Sequence, residues 1–429
     1  MTIPGRPLNV LILANLTTVC QGLSIVSVIQ DQVAMLMRYG HDVHVVVSTA
    51  LESREQASAA FGCPCSLIFP FEKQEYVSVE DVLVAHSPEI QWTSDTLWWR
   101  ILESDVIFTH DLVFSPYDLP CAEVIRKLSD QTKHVPWYHW VHSVPTVTLP
   151  WWDLDRYGLN HTLVYPNAED RPYVAYTWGC DESRVLPIPN IRDVRTYWDF
   201  AIETREFIDD YPDVMLAEIV QVYPVPADRM RSKGLHKLIA VFGELKRQGH
   251  SVCLVVADQW SSQARPRQDL GPFRRLAERH GLSDHEVIFT SQWRSEYENG
   301  VHRRMLRELV LLGNLFVFPT AGEAFGLTLH EAVMVGTFPM LNKSLAAMNG
   351  VIEHWCGESY MYVESALFGG FQNEHDETKD AYGLRTIAIN IIDGMANDSV
   401  IQAKTFVRRH LNMDAVYREY YASIVRRGD

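Results

Sequence analysis

The sequence predicts an α/β protein of two doubly wound, Rossmann-like domains. Three observations carry this. Apolar runs of strand length alternate with amphipathic helical runs along most of the chain. The first strand and helix are joined by a glycine-bearing loop, "TTVCQGLS", as in a βαβ opening. The chain has 429 residues, more than one hydrophobic core usually covers, so two domains of about 200 residues each are expected.

The elements follow in order. "LNVLILA" reads as a buried parallel strand. "IVSVIQDQVAMLMRYG" is a helix closed by Gly40, and "HDVHVVVS" is the next strand. Further strands are expected at 104–110, 134–142, 161–166 and 184–191. A second series opens with the strand "LAEIVQVYPVP" and the helix "GLHKLIAVFGELKRQG". It continues through "HSVCLVVAD", the helix "GPFRRLAERHG", "HEVIFTS", a helix across 300–312, "LFVFPT", a helix after Gly326 and the strand "FPMLN". From Ser399 the chain reads as one or two helices, and 192–215, charged and aromatic without a strand, reads as the connection. The expected domains are 1–195 and 196–400, with a helical segment over 401–429.

Composition narrows the function. Hydrophobic residues make up 47% and charged residues 21%, ordinary for a soluble globular protein. A net charge of −16 argues against a broad basic face for nucleic acid. Seven scattered cysteines suggest no disulfide framework, so a reducing cytoplasm is expected. "CPC" at Cys63 to Cys65 has no second cysteine or histidine pair nearby to complete a metal site. "LNVLILANL" lacks the charged leader and cleavage site of a signal peptide, and no stretch has the 18 or more apolar residues of a membrane span. "DLD" at Asp153 to Asp155 reads as a loop or helix start, so no metal and no other cofactor is expected.

Chemistry concentrates in a few stretches. In "PTAGEAFGLTLHEAVMVGT" the strand ends near Thr320, residues 322–326 turn, and a helix begins near Leu327. N–H groups of a first helical turn have no internal partner and attract anions. Phe325, Gly326, Leu327 and Thr328 are therefore candidate donors to a phosphate, with glycine at 326 allowing close approach. Glu323 precedes the helix and Glu331 lies about one turn inside it. The plain alternatives are an acid that suits the helix dipole and a surface acid, but "AVMVGTFPM" after Glu331 reads as a buried run. In "RMRSKG", Lys233 with Arg229 or Arg231 lies between a strand end and a helix, where ligands bind in open α/β sheets. These cations suit phosphate oxygens; a solvated basic turn is the alternative. "WYHWVHS" ends a strand with His139 and His142, and "FTHD" ends another with His110 and Asp111. Gly22 in the first loop is a further donor-side candidate, and Trp151 and Trp152 form the expected exposed aromatic platform.

These residues resemble a known family. "LFVFPT" followed by "EAFGLTLHEA" resembles the E-x7-E signature of retaining glycosyltransferases of the family 4 type, which have the GT-B fold. "GHDVHVVV" resembles that fold's second strand, "SKGLHKLIAVFGELK" its "KG" helix, and "PIPNIRD" its junction segment, with Ile191 and Arg192 in place of the usual apolar pair. The likeness covers most of the chain in order and spacing. Two departures stand out: "YPVPADRMRSKG" lacks the glycine of the family's "GR" dipeptide, and the first loop has one glycine where many members have two.

The resemblance implies an acceptor-binding and a donor-binding domain facing across a cleft, with the C-terminal helix returning to the first domain. It implies transfer of a hexose or similar sugar from a nucleoside diphosphate sugar, a UDP-sugar such as UDP-glucose first, with retention and without a metal. Glu323 would face the donor sugar, Glu331 the ribose, Lys233 and one of Arg229 or Arg231 the diphosphate, and His142 the donor sugar and acceptor oxygen. The base would lie along Ser291 to Arg294, read by backbone. His110, Asp111, Trp151 and Trp152 are acceptor-side candidates. A saccharide or small-molecule acceptor is favoured. A weaker likeness of "YHWVHSV", "RTYW" and "GTFPMLNKS" to phage DNA glucosyltransferases makes a hydroxymethylated DNA base the alternative. A non-catalytic nucleotide-sugar binding protein would be expected to lack Glu323, Glu331 or Lys233, and all three are present. A glycoside hydrolase would need carboxylates on both sides of a sugar.

Overall fold

The computed structural model describes residues 6–20, 23–113, 115–142, 153–260, 269–320, 323, 326–342, 348, 361–362 and 377–426. The chain divides into two compact units, one of Met1–Arg192 with Leu411–Asp429, the other of Asp193–His410.

The first unit holds seven strands: β1 Asn9–Leu13, β2 Asp42–Ser48, β3 Cys65–Phe69, β4 Val106–His110, β5 Trp137–Trp140, β6 His161–Tyr165 and β7 Val185–Pro187. They form one sheet in the order β3-β2-β1-β4-β5-β6-β7, and every neighbouring pair is parallel. The chain winds outward twice from β1, so the order reverses between β1 and β4. In such sheets that reversal opens a crevice at the carboxyl ends of the strands. Side chains alternate across the sheet, and both faces are covered. Leu11, Leu13, Ile107, Trp137 and Leu163 lie in one core. Val10, Ile12, Phe108, Tyr138, Trp140 and Val164 lie in the other, with Val416, Tyr417, Tyr421 and Ile424 of the C-terminal segment. Residues 411–429 therefore group with this unit. The expected border at 401 falls inside the helix Ser399–His410, which groups with the other unit.

Two elements here go beyond what the sequence predicts. β3 begins at Cys65, so "CPC" leads into a strand, with Cys63 and Cys65 both buried. Val79–Leu102 is a helix of 24 residues capped by the Ser78 hydroxyl, with Pro88 in its interior. The expected connection 192–215 contains three short helices and no strand.

The second unit holds β8 Ile219–Pro226, β9 Val252–Gln259, β10 Val287–Phe289, β11 Leu315–Phe318, β12 Phe338–Asn342 and β13 Met361–Tyr362. They form two parallel three-stranded sheets, β10-β9-β8 and β11-β12-β13. β8 and β11 run side by side, but side-chain amides take over part of the work of a ladder. Gln221, fully buried, donates to the Val317 carbonyl and accepts from the Val317 N–H, each at 2.9 Å. Asn314 Oδ1 accepts from the Val220 N–H at 2.8 Å, and the Asn314 backbone N–H donates to the Val220 carbonyl at 2.9 Å. The helix Ser399–His410 is anchored here by two cations. Lys404 donates to the carbonyls of Gly313 and Val335, and the buried Arg408 to those of Val214 and Met215. Burial lowers the Lys404 pKa to about 8.

Candidate functional site

The loop after β8 folds back on itself into a tight turn before the helix Leu235–Arg247. The Lys233 N–H donates to the Arg229 carbonyl at 2.8 Å, and the Leu235 N–H to that of Met230 at 2.9 Å. The buried Tyr223 hydroxyl, rising from β8, donates to the Lys233 carbonyl at 2.6 Å. Burial and the nearby Glu323 carboxylate push the Tyr223 pKa up, so it stays a donor. Gly234 caps the helix in the left-handed region, with φ +77°. Its backbone lies against the end of β11, where an added Cβ would meet the Pro319 carbonyl oxygen at 2.4 Å. Only glycine meets both conditions.

This turn carries Lys233 to the loop after β11. Lys233 Nζ donates to Glu323 Oε2 at 2.8 Å, with the two side chains 22% and 20% exposed. Both groups thus keep contact with solvent while paired. Arg229 and Arg231 are exposed on the same turn and form no ion pair among the described residues. The missing "GR" glycine therefore does not prevent the loop from presenting Lys233.

The helix Leu327–Met334 is capped by Gly326, which is buried and left-handed with φ +82°. Glu323 lies three residues before that cap in the chain. The Gly326 carbonyl accepts from the N–H groups of Leu329 and His330, so the first turn is formed. No hydrogen bond engages the N–H of Leu327 or Thr328 among the described residues. Leu327 is exposed and Thr328 half-buried. Glu331 is exposed on the same helix. The expectation that it borders a buried run holds in part: Ala332 is buried, but Met334 is 84% exposed. Phe325 lies outside the described residues, as do Gly22, Trp151 and Trp152.

The side chains of the stretch expected to hold a base are engaged within the second unit. Ser291 donates to the buried Asp258 from its N–H at 3.0 Å and from its hydroxyl at 2.5 Å. Trp293 Nε1 donates to Asp210 at 2.8 Å, and Arg294 lies over the Trp293 ring, 4.2 Å from its centroid.

In the first unit the strand ends bring together His110, Asp111 and His142. Asp111 sits in the left-handed region at φ +54°, unusual for a residue with a Cβ. Its N–H donates to the Trp140 carbonyl at 3.0 Å, and its Oδ1 accepts from the His142 N–H at 2.9 Å. His110 is buried at 1% exposure, with both ring nitrogens engaged: Nδ1 by His142 Nε2 at 2.9 Å, Nε2 by Gln32 Oε1 at 3.0 Å. His110, expected on the acceptor side, is buried and lies behind His142. Burial lowers the pKa of both histidines, with Asp111 opposing the shift at His142. His139 points to the opposite face, between Thr109 Oγ1 at 2.8 Å and His161 Nδ1 at 2.9 Å.

Sequence reasoning passes over Tyr223 and Gln32. The signal that could find Gln32 is its place on an apolar helix face with Val28, Ile29, Val33 and Leu36, where a glutamine needs a partner.

No family model and no curated protein matches the chain. Among solved structures it is similar to a glycosyltransferase from Rickettsia africae ESF-5, at 11% identity and a TM-score of 0.37, over 99% of each chain. It is similar to Anabaena HepE in complex with UDP, at 13% identity and a TM-score of 0.36, over 97% of this chain and 99% of that one. It is also similar to the pneumococcal O-GlcNAc transferase GtfA in complex with UDP and GlcNAc, at 8% identity and a TM-score of 0.36, over 98% and 99%.

Proposed function

We propose that the protein is a glycosyltransferase that moves a sugar from a nucleoside diphosphate sugar, a UDP-sugar first, to an acceptor hydroxyl. The observation that carries this reading is the Lys233–Glu323 pair at 2.8 Å, held at the ends of β8 and β11 near a helix start. Breaking a sugar–phosphate bond puts negative charge on the diphosphate and positive charge on the sugar ring. Lys233, one of Arg229 or Arg231, and the N–H groups of Leu327 and Thr328 suit the first charge. The Glu323 carboxylate suits the sugar, and Glu331 a ribose hydroxyl pair. With the donor bound, Lys233 faces the phosphates and Glu323 the sugar.

The reaction proposed is retaining and needs no metal. The leaving phosphate takes the proton of the incoming hydroxyl on the same face of the sugar. The protein then contributes positioning and electrostatic stabilisation. His142 is assigned to the donor sugar and the acceptor oxygen. The net charge of −16 favours a saccharide or small-molecule acceptor over DNA.

A screen of nucleoside diphosphate sugars by thermal shift, followed by assay of nucleoside diphosphate release, tests the reading. Binding of one donor and its slow hydrolysis are expected. Lys233→Ala should lower turnover by about a hundredfold or more while leaving the melting temperature close to the parent's. If no nucleoside diphosphate sugar is bound or cleaved, the assignment fails.

A further inference from the structure

His142 is the end of a hydrogen-bonded chain that begins at Tyr421, in the segment that follows Leu411. Tyr421 lies in a π-helical turn, Tyr417–Tyr421, within the C-terminal segment. Its hydroxyl accepts from Gln32 Nε2 at 2.7 Å. Gln32 Oε1 faces His110 Nε2 at 3.0 Å, and His110 Nδ1 faces His142 Nε2 at 2.9 Å. The two imidazoles stack with centroids 5.2 Å apart and planes 4° apart. Trp140 stacks on His110 and on Tyr421, at 5.5 and 5.9 Å between centroids. Packing thus holds every ring in place, and Asp111 fixes the backbone of His142.

With the Gln32 amide oriented so that Nε2 donates to Tyr421, the protons along this chain fall in one order. Gln32 gives an N–H to Tyr421, so its carbonyl oxygen faces His110 and requires a proton on His110 Nε2. Neutral His110 then has a lone pair on Nδ1, which requires a proton on His142 Nε2. His142 is left with its lone pair on Nδ1, which has no hydrogen-bond partner among the described residues. We propose that Tyr421, Gln32 and His110 are positioning residues that hold His142 with Nε2 protonated and Nδ1 open to accept a hydrogen bond from a sugar hydroxyl. The catalytic consequence rests on the transfer reaction proposed above; the tautomer does not. Burial of the histidine pair favours the neutral forms, while Asp111 is the charged group that favours protonation of His142.

The test is long-range proton–nitrogen correlation on the full chain carrying nitrogen-15 histidine, with His142 identified by its loss in His142→Gln. The parent should show His142 with a bare Nδ1. Tyr421→Phe removes one oxygen atom and frees the Gln32 amide to rotate. Gln32→Leu removes the acceptor for His110. In both variants the His142 signals should move toward a mixture of tautomers. Should Gln32→Leu fail to fold, Tyr421→Phe decides alone. A parent with the proton on His142 Nδ1, or variants with an unchanged tautomer, overturns the proposal. Where the parent releases nucleoside diphosphate, Tyr421→Phe should reduce kcat about tenfold with little change in donor KM, as for other residues that orient a functional histidine through its second nitrogen. A parent without turnover rejects the transferase reading and leaves the tautomer result intact.

Discussion

Gly234 and Pro319 touch through their backbones at the point where the loops after β8 and β11 meet. A Cβ on Gly234 would stand 2.4 Å from the Pro319 oxygen and 3.0 Å from its carbonyl carbon. That contact fixes the height at which Lys233 leaves its loop, one residue before the glycine. The ion pair with Glu323 follows from it, because Glu323 lies four residues beyond Pro319 on the opposing loop.

Gly234→Ala should therefore destabilise the second unit by two separable effects. Left-handed backbone with a Cβ costs about 1–2 kcal/mol, and forcing a methyl group into packed backbone adds about 1–3 kcal/mol. Gly249 is the internal control: it has φ +98° and open space around its missing Cβ, so alanine there meets the first cost alone. Urea denaturation of the two variants should rank Gly234→Ala well below Gly249→Ala. Equal stabilities would show that the loop moves away from Pro319 without loss.

Much of this arrangement is legible in the sequence. Long apolar runs and amphipathic helices announce the strands and helices of both series, because their burial is set by local periodicity. The loop "RMRSKG" and the turn before "LTLHEA" are legible for the same reason: each joins a strand to a helix. What local pattern does not reveal is partnership across the fold. Gln221 sits inside an apolar strand, and nothing nearby in sequence says that it bonds Val317, 96 residues away. The burial of His110 depends on Gln32 and His142, distant in sequence from it and from each other. The helix Val79–Leu102 escapes because Pro88 interrupts it and Val84, Trp92 and Trp99 are exposed, blurring its apolar face.

The Gln221 amide gives a second prediction. Gln221→Leu keeps a side chain of similar size but leaves the Val317 N–H and carbonyl without their partner. Each buried group left unpaired costs roughly 1–3 kcal/mol. The loss should be local to the join between β8 and β11. Native-state hydrogen exchange should show the Val317 amide losing protection while the amides of the first unit keep theirs. Unchanged protection at Val317 would mean that the two strands close up and bond directly.

The buried histidines of the first unit make its stability depend on pH. His139 and His161 are fully buried, hydrogen-bonded to each other and stacked, with ring centroids 5.2 Å apart. Burial lowers both pKa values from the usual 6.5, that of His161 to about 3, and the Arg184 charge lowers both further. The folded unit thus holds these rings neutral, while the unfolded chain takes up protons below about pH 6.5. Their contribution to stability is complete above the unfolded pKa and is lost as pH falls toward the folded value. In that window each histidine adds a slope of up to about 1.4 kcal/mol per pH unit. Melting temperatures of the parent should drop steadily from about pH 6.5 to about pH 4.5, before most carboxylates titrate. Replacing both residues in His139→Leu/His161→Leu lowers stability at neutral pH, since Thr109 loses its partner, but should make this slope shallower, leaving the share of the buried His110 and His142. An equally steep fall in the double variant would assign the acid sensitivity to other groups.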